Sequence, residues 1–187
     1  MSYAWGDLKT QIDAMTPSGN TNQSIGLAWG WQSLSTTNGP IAAPGKESAY
    51  VYQDYVVLLS DGLNTQNRWY TSASSIDTRQ ALLCQKVKDS GVTIFTIQVN
   101  VGSKDPISTV LQSCAGSKDD KSSNNFQMIT QPNQTADGFR TFSRKSRSCA
   151  SPNNAFAVAQ QKARPMILAG LSYSRIILSV LLERTSR

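Results

Sequence analysis

The strongest constraint on the fold of this chain comes from two apolar segments with a helical segment between them. Residues 55–60 form a continuous run of β-branched and aliphatic side chains, and residues 92–99 form a second strand-like run. Strands that are apolar on both faces are typical of a parallel sheet covered by helices. Residues 75–90, between them, predict a helix whose inward side chains are Ile76, Leu82, Leu83 and Val87.

Further periodic segments extend this alternation along the chain. Trp29 falls on the predicted inner face of a helix that starts at Asn22, together with Ile25, Ala28 and Leu34. The other predicted elements are helices at 7–14 and 105–114, a weaker strand at 125–130 and the start of a closing helix at 134–142. Helices and strands in this order predict an α/β fold, a doubly wound and mostly parallel sheet with helices on both faces.

Charge divides the chain into two predicted parts. Residues 1–139 hold 9 Lys and Arg against 11 Asp and Glu, whereas residues 140–187 hold 9 against one. We therefore expect an α/β part at 1–139 and a basic tail at 140–187. Residues 166–182 are apolar but contain Arg175, so they make a poor membrane span and favour an amphipathic helix. Such a tail would bind anionic lipid or nucleic acid.

The composition argues against most enzyme classes. The chain has no histidine, which excludes Ser–His–Asp and Cys–His catalysis and histidine-containing zinc sites. Three cysteines are too few for an all-cysteine zinc site, and there is no phosphate-binding P-loop motif. A hydrolase that uses Asp61 as nucleophile would need a second acid or base, for which the sequence offers no candidate. We expect no enzymatic activity and no small-molecule substrate.

Two loops carry the most suggestive chemistry. Residues 16–23 precede a helix, and residues 59–65 follow the strand at 55–60. Ligands of wound sheets bind beyond the carboxyl ends of the strands, and the hydroxyl of Thr21 with the carboxylate of Asp61 suits Mg²⁺. Taken singly, the loops have a plainer interpretation, in which Thr21 caps the following helix and Asp61 opens a turn.

Together the two motifs resemble a known family. Gly-Asn-Thr-Asn at 19–22, followed by a buried strand that ends in Leu-Ser-Asp-Gly at 59–62, resembles a von Willebrand factor A (vWA) domain. The longer segments 15–31, 57–69 and 91–100 are similar to TadG-like proteins of bacterial Tad/Flp pilus assembly. The resemblance covers about residues 5–139.

The resemblance implies a Rossmann-like fold and a Mg²⁺-containing metal-ion-dependent adhesion site. Thr21 matches the second-loop threonine of that site, and Asp61 matches the third-loop aspartate. It further implies a non-catalytic module, membrane-anchored on the periplasmic side of the cell envelope. Such a module binds a pilus or envelope protein through an acidic group that completes the coordination of the ion.

The chain also departs from the family. The first-loop motif Asp-x-Ser-x-Ser, the strand before it and the membrane anchor have no match, and no signal peptide is visible. We therefore expect a truncated, impaired domain that binds metal weakly or not at all. Its strand at 55–60 should have a bare edge, which favours aggregation. The tail after residue 139 also lacks the resemblance, which favours a shifted reading frame over a real basic appendage.

The cysteines allow two interpretations. Cys84 and Cys114 are buried thiols if the protein is cytosolic, or a disulfide if it is exported. The family resemblance includes cysteines at both positions and so implies the disulfide, which leaves Cys149 as the odd thiol. Trp69 and Tyr70, which follow the Asp61 loop, are expected at the rim of the binding crevice.

Overall fold

A computed structural model of the chain describes residues 4–16, 18–37, 43, 45–46, 48, 50–120, 123–148, 164–168 and 176–186. The helices are α1 (Trp5–Asp13), α2 (Gln23–Gln32), α3 (Ala73–Asp89), α4 (Thr109–Cys114) and α5 (Thr135–Ser148). The strands are β1 (Tyr50–Ser60), β2 (Thr93–Val99), β3 (Phe126–Ile129), β4 (Arg164–Leu168) and β5 (Ile176–Ser186).

The strands form one sheet in the order β3-β2-β1-β5-β4. Strands β1, β2 and β3 are parallel, with Tyr55 opposite Thr93 and Thr96 opposite Phe126. Helices connect these three strands, as parallel neighbours require. The prediction of an α/β fold with a parallel sheet is therefore confirmed for these strands.

Alternate residues of β1 face two separate hydrophobic clusters. On one face, Val56 and Leu58 pack with residues of α2, α3 and α4. On the other face, Val57 and Leu59 pack with residues of β2 and β3 and with Phe139 of α5. Burial on both faces explains why the strand is apolar throughout, since each such side chain contributes roughly 1.5–3 kcal/mol when removed from water.

Helix α5 lies close against the second face. A β-carbon built on Gly138 would lie 3.2 Å from the Cδ1 atom of Ile129. Glycine therefore permits this close approach of helix and sheet. The helix runs without a break through the predicted boundary at residue 139 and ends at Ser148.

The expectation that one edge of β1 has no partner strand is wrong. Strand β5 pairs antiparallel with β1 along its whole length, from Tyr50 opposite Ser186 to Ser60 opposite Ile176. Strand β4 pairs with the outer side of β5. The amphipathic helix expected at 166–182 is also wrong, because strands occupy much of that segment.

Two predicted helix faces also need correction. In α2 the buried residues are Gln23, Leu27 and Gly30, whereas Trp29 is 39% exposed and does not belong to the core. Ile25, from the same predicted inner face, is 51% exposed. In α3 the buried stripe includes Ile76, Gln80, Cys84 and Val87, whereas Leu82 is 63% exposed. In each helix one of the buried residues is a glutamine, Gln23 in α2 and Gln80 in α3.

Candidate functional site

The loop before α2 and the loop after β1 lie against each other. The amide of Thr65 donates to the carbonyl oxygen of Thr21 at 3.0 Å. The amide of Thr21 donates in return to the Oγ1 atom of Thr65 at 2.8 Å. The two loops that sequence analysis selected therefore meet at the carboxyl end of β1, where ligands of wound sheets bind.

The N-terminus of helix α2 is capped by a residue of the other loop. Its N-cap is Asn22, whose side chain makes no capping hydrogen bond. Instead, Asn64 supplies its Oδ1 atom to the amide of Gln23 at 2.9 Å. An amide in the first helical turn otherwise lacks a partner, so Asn64 acts as a cap from a distance of 41 residues. The interpretation of Thr21 as the N-cap is wrong.

Buried amides extend this junction into the protein. Gln23 is fully buried and donates through Nε2 to Ser60 Oγ at 3.1 Å and to the Gly62 carbonyl at 2.8 Å. Its Oε1 atom accepts from Gln80 Nε2 at 2.9 Å. Gln80 Oε1 in turn accepts from Asn64 Nδ2 at 2.7 Å. Gln23, Asn64 and Gln80 thus close a ring, which we call the amide ring.

Asp77 adds a charged contact at the side of the amide ring. Its Oδ1 atom accepts from Asn64 Nδ2 at 2.6 Å. Hydrogen bonds to a charged acceptor are stronger than neutral ones. The Asn64 side chain is therefore held by the first amide of α2 and by two residues of α3, and it fixes the loop that carries Asp61.

Thr21 and Asp61 are both half-buried at this junction. A β-carbon built on Gly62, the neighbour of Asp61, would lie 4.0 Å from the Thr21 Oγ1 atom. The Thr21 hydroxyl therefore faces the backbone immediately after Asp61. The structure brings the two predicted ligand residues to the same place.

Thr21 and Asp61 offer one hydroxyl and one carboxylate to a metal ion at this place. Within the described part of the chain, no group of three or more His, Cys, Asp or Glu side chains lies close enough together to hold a metal. One carboxylate and one hydroxyl leave most of an octahedral shell to water.

Two polar atoms beside Thr21 have no hydrogen-bond partner among the described residues. They are the Oδ1 atom of Asn22 and the Oγ atom of Ser24, and both are buried. A buried polar group without a partner costs about 1–3 kcal/mol. The start of α2 therefore contains an amide oxygen and a hydroxyl that form no hydrogen bond with any described residue.

Cys84 and Cys114 form a disulfide in the structure, with their Cα atoms 5.2 Å apart. Cys84 lies on α3 and Cys114 ends α4, and both belong to the cluster on one face of the sheet. The Nζ atom of Lys88 also donates to the Ser113 carbonyl at 2.9 Å. The disulfide and this hydrogen bond join the two helices.

The amide ring was missed by sequence analysis. Its one visible signal was Gln80, which lies at helical spacing between Ile76 and Cys84, on the inner stripe of α3. A glutamine at a core-facing position requires a buried partner. Nothing in the spacing of the sequence showed that Gln23 and Asn64 would be those partners.

Comparison with known proteins identifies no relative. No family model, no curated protein and no solved structure matches this chain. Among the described helices, none is long and apolar enough to cross a membrane.

Proposed function

We propose that this chain is a non-catalytic protein-binding module of vWA type, a partial domain related to TadG-like proteins of Tad/Flp pilus assembly. Its binding face is the junction of the Thr21 and Asp61 loops. The partner is a pilus or cell-envelope protein that presents an acidic group. In this chain the face does not retain the metal ion by itself and holds it only when the partner's acidic group completes the coordination, so binding is weaker than in a complete domain.

The observation that carries the proposal is the paired contact between Thr21 and Thr65. These residues lie 44 positions apart, yet two hydrogen bonds join them at the carboxyl end of β1. The amide ring behind them is buried and hydrogen-bonded, which favours one rigid arrangement of both loops. A binding site depends on this kind of rigid support.

The partnerless atoms of Asn22 and Ser24 support the idea of a partial domain. Both lie at the start of α2, next to Thr21. A further loop that carried hydroxyl or amide groups would satisfy them, as the first ligand loop of the resembled family would. The absence of that first loop also accounts for a metal site with only two of its expected ligands, Thr21 and Asp61.

Photocrosslinking tests the binding face. The photoreactive residue p-benzoylphenylalanine is introduced at Gln66, on the exposed surface beside the junction, or at Lys118, an exposed control position. Both full-length chains are expressed in a bacterium that assembles Tad/Flp pili. We expect an adduct with a specific envelope protein from position 66 that weakens with Asp61→Ala. Equal adducts from both positions, or none from position 66, would contradict the proposal.

Helix α5 favours a second candidate function, binding of an anionic lipid surface or nucleic acid by the basic tail. Arg140 and Arg144 are exposed on this helix, four residues apart. Such binding should fall steeply with salt. Sedimentation with phosphatidylserine vesicles and gel shift with duplex DNA, comparing the chain with its R140Q/R144Q variant, test this candidate. Retention of binding in the variant would contradict it.

A further inference from the structure

A cluster of cations and aromatic rings lies on the connection between β1 and α3 and on the first turns of α3. We call Arg68, Trp69, Tyr70 and Arg79 the guanidinium–aromatic patch. The guanidinium carbons of Arg68 and Arg79 each lie 5.9 Å from the centre of the Trp69 ring. Arg79 also lies 5.6 Å from the centre of the Tyr70 ring. These distances are within the range of cation–π attraction.

The backbone of the patch is held by its own turn. Asn67 accepts through Oδ1 from the amides of Trp69 at 2.9 Å and Tyr70 at 2.8 Å. The Asn67 amide donates to the Tyr70 carbonyl at 2.8 Å. This turn presents the Trp69 side chain to solvent, where 71% of it is exposed. The turn thus fixes the backbone that carries the ring, and a preorganised backbone reduces the entropy lost on binding.

The two arginines have no acidic partner within the described part of the chain. The ion pairs found there join Lys9 to Asp13, Lys46 to Asp54 and Arg140 to Asp137. An arginine side chain carries five N–H donors in a planar fork that matches a carboxylate, and it stays charged in proteins. The patch therefore offers two positive groups, and no carboxylate of the described residues forms an ion pair with either.

We propose that the guanidinium–aromatic patch binds an acidic segment of a partner protein. The arginines accept one or two carboxylates by bidentate hydrogen bonds, and an apolar neighbour of those carboxylates packs on Trp69. Tryptophan, tyrosine and arginine are the residues that most often dominate the energy of protein–protein contacts. The patch holds all three types.

Charge favours a protein segment over a nucleic acid as the occupant. Residues 1–139 carry 9 basic and 11 acidic residues, so the part of the chain around the patch has no general attraction for a polyanion. A local pair of arginines on a weakly acidic surface selects a short acidic segment instead. The patch requires no metal ion and does not depend on Asp61.

Fluorescence anisotropy with a labelled ten-residue glycine–serine peptide that carries two glutamates beside one leucine tests this proposal. The full-length chain is titrated into the labelled peptide in the presence of EDTA. A labelled oligo-dT of ten nucleotides is titrated in the same way, as the nucleic-acid probe for comparison. The patch variants are Trp69→Ala and the double variant R68Q/R79Q. The matched controls are Trp5→Ala, since Trp5 is an exposed tryptophan on α1, and Lys118→Gln, which removes one exposed charge. Thermal unfolding followed by circular dichroism checks that each variant is folded.

We expect the peptide to bind in EDTA and each patch variant to weaken it about tenfold or more, as for a residue that dominates a contact. Both controls should change the dissociation constant less than about twofold, as expected for exposed positions away from the contact. Absence of peptide binding, or equal binding by patch variants and controls, would overturn the proposal. Stronger binding of oligo-dT that the patch variants abolish would also overturn it. Intact peptide binding together with no photocrosslinked adduct from position 66 would count against the proposed function alone.

Discussion

Replacing Gln80 with methionine should destabilise the protein although the side chain keeps its length. Gln80 is fully buried and makes two hydrogen bonds, one from Asn64 and one to Gln23. Its loss leaves the Oε1 atom of Gln23 buried without this partner, whereas Asn64 Nδ2 keeps its bond to Asp77. One unsatisfied buried acceptor and one further lost hydrogen bond predict a decrease of about 2–3 kcal/mol in the free energy of unfolding.

Urea unfolding followed by circular dichroism, with the disulfide intact, measures this change. The matched control is Gln85→Met, because Gln85 lies on the same helix, is exposed, and donates only to Asp89 at 2.8 Å. Methionine and glutamine have similar helix propensities, so the control should change stability by less than about 0.5 kcal/mol. If the slope of the unfolding free energy against urea concentration is the same in all variants, their folded and unfolded states are comparable.

A double-mutant cycle makes the test sharper. Gln23→Met alone leaves the Nε2 donor of Gln80 without a partner, and Gln80→Met alone leaves the Oε1 acceptor of Gln23 without one. The double variant removes both atoms, so its loss should be smaller than the sum by about 1–2 kcal/mol. Additive losses, or a loss in Gln80→Met no larger than in Gln85→Met, would refute the amide ring as a cooperative unit.

Three more variants and one thiol titration give separate tests. The disulfide closes a segment between positions 30 residues apart, so Cys84→Ser with Cys114→Ser should lower stability by about 3–4 kcal/mol in chemical denaturation. Thiol titration of the denatured protein should find one free thiol, that of Cys149, before reduction and three after it; equal counts would exclude the disulfide. Ser24→Ala removes a buried hydroxyl without a partner among the described residues, so it should raise the unfolding free energy by up to about 1 kcal/mol. Ser33→Ala, which loses a bond of 2.7 Å to the Gly30 carbonyl, should lower it by about 1 kcal/mol, and the opposite order would contradict the assignment of partners.

The parallel part of the fold could be predicted because its strands repeat a simple pattern. The runs at 55–60 and 92–99 are apolar on both faces, and only a sheet covered on both sides buries them. The pairing of β1 with β5 could not be predicted in the same way. An antiparallel partner more than 100 residues away leaves no periodic signal in either segment.

The sequence allowed the two loops of the candidate site to be chosen, but it did not allow the hydrogen bonds between them to be predicted. Thr21 and Asp61 stood out because a hydroxyl and a carboxylate followed recognisable turn and strand signals. The residues that hold them together are neutral amides, which have no fixed spacing or charge to mark them. The helix analysis did not mark Gln23 as an inward residue of α2 and expected Trp29 there instead, which is exposed.

Titration of the full-length chain with Mn²⁺, by calorimetry and by its paramagnetic resonance signal, tests most directly whether the two loops form a binding face without a resident metal. One carboxylate and one hydroxyl predict a dissociation constant weaker than about 1 mM, in the range of the weakest protein sites for divalent cations. Thr21→Val and Asp61→Ala should leave that value nearly unchanged. A micromolar dissociation constant that Asp61→Ala abolishes would contradict this account.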